Sequence, residues 1–540
     1  MRRDISALTS KTYDLIVIGG GVYGVCAARA AALRGLRVAL IERGDFGEAT
    51  TGNSLHTIHG GLRYLQHLDI RRMRESIRER RTWMKLAPDL VKPVPFVLPT
   101  YGHGLRGPEV MTVALALNDL ISADRNRALS PEVHLPRSRL LSRDAASAMF
   151  KQLQIDGFNG AALWYDGFNS SPERLLVTLL GDAHSLGVEL ANYVSANGFL
   201  MRNGSVCGVK AQDGIAGGEI ELYSRCVLNA SGPWVDSILG RLRPMHALLD
   251  DPMFCPSKAF NLVVRRIPLD YAVGIPVPRR GSDTDTVFDK GSVTYFVIPW
   301  GEFSLIGTKH LSFDGETDAL RANRREISNF LDEINPALGN WRIDESDVVA
   351  VKCGLLPEQK RATGSEDVVL QKHGRIVDHQ SRDGIPGLLS VIGVKWTTAR
   401  IVAEQCVQLI CQKLEHRPTT SSEPARQLVS AETRNAPASG TDLVDDVRVT
   451  GEDIAFAARH EMAVNLTDAI FRRTLLGLSR GLDGRVIAQC AELMRGELNW
   501  SEAETRRQVD LVWAALSRMN AWRTHDIVRV VSDAKGETHR

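Results

Sequence analysis

The sequence predicts an α/β fold with three parts: an N-terminal βαβ-type domain, a mainly antiparallel β domain interleaved with it, and a C-terminal helical domain. Three observations support this prediction. A strand, a glycine-rich turn, a helix and a second strand open the chain, short β-type runs fill its middle, and helical patterns dominate its end. The 540 residues also exceed what one core usually holds, so we expect two or three domains.

The opening βαβ unit is defined by rapid changes in hydrophobic pattern. Residues 13–18 form a short apolar run that is typical of a buried parallel strand. Residues 22–34 are rich in alanine and predict a helix, which Gly35 ends as a left-handed residue would. Residues 37–41 are then the second strand. This order predicts a Rossmann-like domain.

The turn after the first strand contains a GxGxxG motif, formed by Gly19, Gly21 and Gly24. The first glycine permits the tight turn, the second lets a pyrophosphate approach the backbone, and the third lets helix and strand pack closely. Glu42 stands 18 residues after Gly24, at the end of the second strand, where a carboxylate can hold a ribose hydroxyl. These features predict dinucleotide binding. A purely structural glycine turn is the alternative, and the motif alone does not separate FAD from NAD.

The composition argues against several classes of protein. Net charge is +2, with 44% hydrophobic and 24% charged residues, so nothing indicates a nucleic-acid partner. None of the eight cysteines belongs to a CxxC pair, so the spacing predicts no metal site and favours a reducing, cytoplasmic compartment. No apolar run reaches the roughly 18 residues of a membrane-spanning helix, so none is expected.

Changes in composition along the chain predict the domain boundaries. We assign residues 10–415 to the cofactor-binding domain, with the interleaved substrate part at approximately 240–360. Residues 416–441 are rich in Pro, Ser, Thr and Ala and form a predicted linker, followed by a helical domain at 442–525. The β-type runs assigned to the antiparallel sheet lie at 205–210, 220–228, 261–265, 293–299 and 303–307.

A strongly basic helix is predicted at residues 69–86. Glu75 and Glu79 partly neutralise its arginines, so the favoured interpretation is a solvated helix face. The alternative is a surface that faces a membrane or a phosphate group. Four prolines between positions 88 and 99 are expected to interrupt regular structure after this helix.

A longer pattern follows the glycine turn. Residues 49–65 read ATTGNSLHTIHGGLRYL, and the string IHGGLRYL within them resembles the second FAD-contact loop of the FAD-dependent glycerol-3-phosphate dehydrogenase family. Further stretches resemble that family in the same order, namely SGPWV at 231–235, FVIPW at 296–300, LLSVIGVKWTTAR at 388–400 and DAIFRRT at 468–474. The resemblance therefore spans nearly the whole chain.

This resemblance implies an enzyme that oxidises sn-glycerol 3-phosphate to dihydroxyacetone phosphate by hydride transfer to flavin N5. It also implies that electrons pass to a quinone, which requires peripheral contact with the inner face of the cytoplasmic membrane. The substrate would be a small polyol phosphate. The residues expected at FAD are Gly19, Gly21, Gly24, Glu42, Arg43, Thr50, Ser54, Gly60, Gly61, Leu62, Gly232, Lys395 and Thr397.

The expected catalytic residues are His59, Arg63, Tyr64, Lys258 and Lys395. The first three lie in one short loop, which offers a base, a cation and a hydroxyl donor together. Arg63 is expected to be buried and therefore to require an anion. Lys258 and Lys395 would add positive charge, which stabilises a reduced, anionic flavin. The alternative role for His59 is a hydrogen bond to the backbone or to the cofactor.

Two positions depart from the family pattern. The family's KGxH reads KAFN here, so Asn261 replaces a histidine, and an amide cannot act as a base at neutral pH. The arginine of the family's GxRPL is Leu356 here, which removes a charge-assisted contact worth about 1.5–3 kcal/mol. Lys309, His310 or Lys360 could return a cation from another position.

Both departures fall on the substrate pocket and leave the FAD loops intact. Two alternatives to a glycerol-3-phosphate dehydrogenase therefore stay open. One is a related flavoenzyme that oxidises another polyol phosphate, an alcohol or an amine, with oxygen as the electron acceptor. The other is an FAD-binding protein whose catalytic site has decayed.

Overall fold

The computed structural model describes residues 1–104, 107–151, 153, 155–242, 252–278, 292–359, 368–417, 428 and 441–523. Lys360 and most of the predicted linker lie outside the described residues, as do the last 17 residues, 524–540. Within the described residues the strands form two sheets, and no helix there is long and apolar enough to cross a membrane.

The strands and α-helices are named in chain order. The strands are β1 (Thr12–Ile18), β2 (Val38–Ile41), β3 (Thr57–Ile58), β4 (Val91–Tyr101), β5 (Arg139–Ser142), β6 (Phe158–Asn169), β7 (Glu189–Ala191), β8 (Val194–Arg202), β9 (Ser205–Asp213), β10 (Glu219–Asn229), β11 (Cys255–Arg265), β12 (Ala272–Pro278), β13 (Ser292–Trp300), β14 (Phe303–Ser312), β15 (Val348–Glu358), β16 (Arg375–Asp378) and β17 (Leu388–Ile392). The α-helices are α1 (Ile5–Thr9), α2 (Val22–Leu33), α3 (Ile70–Leu86), α4 (Pro108–Ile121), α5 (Arg143–Phe150), α6 (Pro172–Ser185), α7 (Val235–Leu239), α8 (Arg324–Leu338), α9 (His379–Asp383), α10 (Ala399–Lys413), α11 (Gly451–His460), α12 (Leu466–Asp468), α13 (Gly484–Leu498) and α14 (Glu502–Asn520).

The first sheet has the strand order β16-β17-β10-β1-β2-β7. Its central strands are parallel, as the buried apolar runs of β1 and β2 predict. Helix α2 is buried between α6 and α10, because its alanines let the neighbouring helices approach closely. The predicted Rossmann-like unit and the α/β class are therefore confirmed.

The second sheet has the order β15-β11-β14-β13-β12-β4-β6-β3 and is antiparallel except where β4 meets β12. Strand β4 contains three of the four prolines that were expected to interrupt the chain, and that expectation is wrong. The strand tolerates them because Pro93, Pro95 and Pro99 occupy alternate positions. Only Phe96 and Val97 of β4 pair with β12 as well as with β6, so the prolines lie where the strand has one partner.

Two predicted runs belong to the other sheet. Residues 205–210 and 220–228 lie in β9 and β10, which are part of the first sheet rather than the second. Conversely, β4 and β6 come from residues before 170 and form a large part of the second sheet. Both differences have the same reason. The partner of a strand depends on contacts with residues far away in the sequence, and local periodicity does not encode those contacts.

The C-terminal helices α11 to α14 enclose their own apolar core, which contains Ile454, Ile487 and Val512. A buried ion cluster joins these helices to the first domain. Arg473 donates two hydrogen bonds to Asp45, at 2.7 and 2.8 Å, and both side chains are fully buried. The helical end of the chain is therefore bound to the loop that follows β2.

Candidate functional site

A cavity of about 1210 Å³ lies between the two sheets. The glycine turn after β1 and the end of β2 form one side, and the inner faces of β11 and β14 form the other. The loop before α3 and the segment after β17 close its middle. Every stretch that resembles one of the family's FAD loops contributes residues to the lining of this cavity.

The glycine turn has the geometry that its motif requires. Gly19 has φ +109°, and a β-carbon there would lie 2.6 Å from the Ala230 carbonyl oxygen. A β-carbon on Gly24 would lie 2.0 Å from the carbonyl oxygen of Gly19, so Gly24 allows helix and strand to touch. Gly19 and Gly21 line the cavity, and Gly24 does not. The N-terminus of α2, which begins at Val22, therefore lies at the cavity, as a pyrophosphate site requires.

Glu42 and Arg43 stand at the end of β2 and line the same cavity. The Glu42 carboxylate accepts hydrogen bonds from the amides of Gly20 at 2.6 Å and Gly44 at 2.9 Å. Burial raises the pKa of Glu42, and the two amide hydrogen bonds oppose that shift. The Arg43 guanidinium lies 4.1 Å from the ring centre of Trp234, which also lines the cavity. This end offers a carboxylate for a ribose and a flat cationic and aromatic surface for a base.

The loop at residues 49–65 connects the two sides of the cavity. Thr50 exchanges hydrogen bonds with the backbone of Leu355 on β15, at 3.1 and 3.3 Å. Gly61, with φ +85°, begins the 3₁₀ helix Leu62–His67, and a β-carbon on it would lie 2.4 Å from the Tyr64 ring. Ser54, Gly61 and Leu62 line the cavity, as do Gly232 and Thr397 from other segments.

Lys395, Tyr64 and His59 form a cluster in the middle of the cavity. The Lys395 ammonium donates to the Tyr64 hydroxyl and lies 4.6 Å from the centre of its ring. The His59 amide donates to the Thr397 hydroxyl at 3.2 Å. Burial, followed by the charges of Lys395 and Arg80, lowers the pKa of His59 to about 3. His59 is therefore neutral at pH 7, and its Nδ1 has no hydrogen-bond partner among the described residues.

A second polar group lies on the inner face of the second sheet. The Asn261 side chain accepts a hydrogen bond from the Thr308 hydroxyl at 2.8 Å and donates to the Asn53 carbonyl at 3.2 Å. His310 lies on the neighbouring strand and lines the same cavity. Burial, followed by the charges of Arg63 and Lys309, lowers the pKa of His310 to about 4.

Three expectations about charged residues are corrected by the structure. Lys258 does not line the cavity, because it lies on the opposite face of β11 from Asn261 and pairs with Glu326 at 2.5 Å. Lys309 likewise turns away and pairs with Glu333. Arg63 lines the cavity but is exposed rather than buried.

Gly60, predicted at FAD, also lies outside the cavity lining. Its amide donates to the Asp166 carboxylate at 2.6 Å, and a β-carbon on it would lie 2.5 Å from the Arg80 guanidinium. Arg80 itself forms a buried ion pair with Asp166. Gly60 therefore lets the loop at residues 49–65 close over this ion pair.

The predicted solvated face of the basic helix is only partly correct. Arg72 and Arg80 of α3 are buried, and Arg72 lines the cavity, where its guanidinium lies 4.0 Å from the Tyr64 ring centre. Glu79 pairs with Arg400 at 2.6 Å and not with its own helix. Arg72 and Arg80 lie about two helical turns apart, beside buried Met73 and Ile77. This spacing places both arginines on the apolar side of the helix and is the sequence signal that could have predicted their burial.

Tyr23 and Asp166 are further cavity residues that the predicted site lacked, and His310, expected above only as an alternative source of a cation, also lines the cavity. The Tyr23 hydroxyl accepts hydrogen bonds from the amides of Val394 at 3.0 Å and Lys395 at 3.1 Å, and donates to the Lys395 carbonyl at 2.9 Å. Tyr23 thereby fixes the backbone that carries the Lys395 ammonium.

The residues present fit FAD. A pyrophosphate is matched by the glycine turn, a ribose by Glu42, and a reducible ring by the Lys395 cation, all along one cavity. Within the described part of the chain, no three His, Cys, Asp or Glu side chains are grouped to hold a metal ion.

Comparison with known proteins gives the same assignment. The family model described as FAD dependent oxidoreductase matches residues 14–409, and the model for the C-terminal domain of alpha-glycerophosphate oxidase matches residues 423–505. Glycerol-3-phosphate dehydrogenase of Synechocystis sp. is 28% identical over 94% of this chain and 97% of that protein. Alpha-glycerophosphate oxidase of Streptococcus pyogenes is 29% identical over 66% of this chain and 56% of that protein. The solved glycerol-3-phosphate dehydrogenase of Bacillus halodurans, complexed with FAD, shares the fold with TM-score 0.69 and 21% identity, over 95% of this chain and 96% of that one.

Proposed function

Because the chain belongs to the family of FAD-dependent oxidoreductases, we propose that it oxidises sn-glycerol 3-phosphate to dihydroxyacetone phosphate. The relatives named glycerol-3-phosphate dehydrogenase support this substrate. The observation that carries the proposal is the meeting of Arg63, Tyr64 and Lys395 with the glycine turn in one cavity. This arrangement joins a cofactor site to cations that suit a phosphate ester.

Each residue of the cluster has a separate task in this reaction. FAD, when bound, supplies the acceptor for the hydride that leaves the alcohol carbon. Exposed Arg63 at the cavity holds the phosphate of the entering substrate. Lys395, held by Tyr23 and Tyr64, places a cation where negative charge develops on the cofactor ring. Neutral His59 offers a hydrogen-bonding nitrogen between these groups.

The test is an anaerobic visible spectrum before and after addition of glycerol 3-phosphate. We expect the flavin bands to bleach promptly. An Arg63→Met variant should retain the flavin bands and lose most of the bleaching at limiting substrate, whereas Arg448→Met, at an arginine 97% exposed on the helical domain, should match the wild type. Flavin bands that persist in the wild type would reject this substrate.

The substrate pocket gives a specific second candidate, a less charged polyol or alcohol. Leu356 lines the cavity with an aliphatic side chain at the position where the family resemblance places an arginine. Titration of Leu356→Arg and Asn261→His with glycerol 3-phosphate measures what these positions contribute. If neither substitution alters binding or rate, the interpretation of both positions is wrong.

The electron acceptor in this proposal is a quinone, reached by peripheral contact with the inner face of the cytoplasmic membrane. Exposed apolar side chains support the contact: Leu68 (77% exposed) and Ile70 (41%) lie before and at the start of α3, and Val113 (59%), Leu117 (40%) and Leu120 (72%) lie on α4, which packs against the 3₁₀ helix Leu62–His67. Leu68 directly follows the 3₁₀ helix Leu62–His67 that carries Arg63 and Tyr64, so these side chains adjoin the site. Exposed Arg71 and Arg78 of α3 add positive charge for anionic lipid.

Liposome flotation tests the membrane contact. We expect the wild type to float with vesicles that contain anionic lipid, and Leu120→Asp to remain in the soluble fraction. Ile215→Asp is the matched control, because Ile215 is an equally apolar and 44% exposed residue in the turn between β9 and β10, outside α3 and α4. Absence of flotation with and without anionic lipid would reject the contact.

Oxygen is the alternative acceptor, because one relative carries the name alpha-glycerophosphate oxidase. Release of hydrogen peroxide in proportion to the substrate consumed would show that oxygen, and not a quinone, accepts the electrons. Reduction of a soluble quinone analogue without peroxide would support the quinone.

A further inference from the structure

We infer that His310 accepts the hydroxyl proton of the substrate during the oxidation, and is therefore a catalytic residue. This inference rests on the proposed function and assigns its proton acceptor. It follows from the way β11 and β14 present their side chains to the cavity.

Strand alternation brings His310 to the substrate side of the cavity. His310 is paired with Ala259 of β11, and both residues line the cavity. The adjacent Lys309 points to the opposite face, where it pairs with Glu333 and donates to Tyr295 at 3.3 Å. His310 therefore lies on the face that carries Asn261 rather than the face that packs on α8.

The neighbours of His310 are already committed to other hydrogen bonds. The Asn261 carbonyl oxygen accepts from Thr308 at 2.8 Å, and its amide donates to a backbone carbonyl. An amide or a threonine hydroxyl also cannot take up a proton near neutral pH. His310 Nδ1 has no hydrogen-bond partner among the described residues. This imidazole is therefore the group on that face that can still accept a proton.

His56 and His59, which also line the cavity, are placed for different contacts. His56 packs against Trp300, with ring centres 4.7 Å apart, and against Phe168. His59 lies beside Lys395 and Tyr64, on the loop that adjoins the glycine turn. His310 instead lines the cavity together with Arg63, whose charge acts on it and which holds the phosphate in the proposed function.

The chemistry at His310 balances. The substrate O–H bond breaks and its proton forms an N–H bond on the imidazole, while the oxygen electron pair becomes the second C–O bond and the carbon hydrogen leaves with its pair to FAD. Burial, followed by the charges of Arg63 and Lys309, lowers the pKa of His310, so the free imidazole is neutral and able to accept a proton. A phosphate bound to Arg63 would offset that positive charge and make the imidazole more basic.

The test combines a rate with a binding measurement. In anaerobic single turnover with glycerol 3-phosphate, His310→Gln should bleach the flavin ~10²–10⁴-fold more slowly, because glutamine keeps a hydrogen bond but accepts no proton. Enzyme reduced with dithionite cannot oxidise substrate, so it reports binding alone. There, calorimetry should show that wild type and His310→Gln both bind glycerol 3-phosphate more tightly than propyl phosphate, which lacks the hydroxyl, and that His310→Phe loses this preference.

His184→Gln, the same substitution at an exposed histidine of α6 outside the cavity lining, is the matched control and should bleach as the wild type does. The wild-type bleaching rate should also fall as the pH drops toward about 4, and this fall should be absent from His310→Gln. A wild-type rate in His310→Gln, or an unchanged hydroxyl preference in His310→Phe, would overturn the inference while leaving the proposed function intact. Failure of the wild type to bleach at all would overturn both.

Discussion

Replacing Arg473 with methionine tests the contact that binds the C-terminal helices to the cofactor domain. The Arg473 guanidinium donates to Asp45 at 2.7 and 2.8 Å and to the Glu461 carbonyl at 3.1 Å. Both charged side chains are fully buried. Methionine keeps an apolar chain of similar length and removes the cation, so the Asp45 carboxylate loses its two-point partner in a site without water access.

The magnitude follows from what remains around Asp45. Removal of one partner from a buried ion pair costs about 3–5 kcal/mol, because the other charge stays buried. Here Arg472 still donates to Asp45 at 2.5 Å and Asn192 at 3.0 Å, so part of the negative charge stays compensated. We therefore expect the lower end of that range, about 3 kcal/mol. Charge-neutral Asp45→Asn in the same protein should return a substantial part of the loss.

The assay is urea unfolding of the FAD-loaded protein, followed by circular dichroism and by the fluorescence of released flavin. Asp45 lines the cavity three positions after Glu42, so flavin release should move to lower urea together with the unfolding transition. Arg485→Met, at an exposed arginine on α13, should leave both transitions unchanged. A midpoint for Arg473→Met equal to that of the wild type, or a double variant Asp45→Asn/Arg473→Met no more stable than the single one, would refute the reasoning.

Three further outcomes are expected. Gly24→Ala should lose FAD, measured by the flavin to protein ratio, because its β-carbon would lie 2.0 Å from a carbonyl oxygen, whereas Gly181→Ala, with open space in α6, should keep it. Lys395→Met should slow anaerobic bleaching by ~10²–10³-fold, since it removes a cation from the cofactor ring. Lys258→Met, whose charge faces Glu326, should have a far smaller effect on the same rate. Burial, followed by the charge of Lys352, lowers the pKa of His56 well below its ordinary value. The neutral side chain therefore contributes its full stabilisation of the fold above pH ~6.5, where the unfolded chain is also neutral, and this stabilisation is lost as the pH falls below that value. Urea unfolding at pH 7 and 5 should therefore show a loss of about 2 kcal/mol in the wild type that His56→Leu lacks.

The parts of the site that depend on neighbouring residues in sequence were predictable. The glycine turn, Glu42 and the loop at 49–65 each act through local backbone geometry, and the structure brings them to one cavity. Lys258 shows where such prediction fails. Its motif placed it near the flavin, but whether a strand residue faces a cavity depends on which side the partner strands and helices cover. The same uncertainty hid Arg80, whose partner Asp166 comes from a strand 86 residues later.

The two halves of the cavity are built by different means. This explains how residues at the proposed substrate end can depart from the family pattern while the cofactor end keeps it. Glycines and backbone amides form the cofactor half, where a side-chain substitution meets a carbonyl or a phosphate and disrupts the turn. Side chains on β11, β14 and β15 form the proposed substrate half, where the pairing of the strands is made by backbone atoms and not by these side chains. Asn261 and Leu356 stand where the resemblance places a histidine and an arginine, while His310 and Arg63 supply an imidazole and a guanidinium to the same space. The proposed proton acceptor His310 can therefore lie on β14, beside the strand that carries Asn261, without any change in the glycine turn.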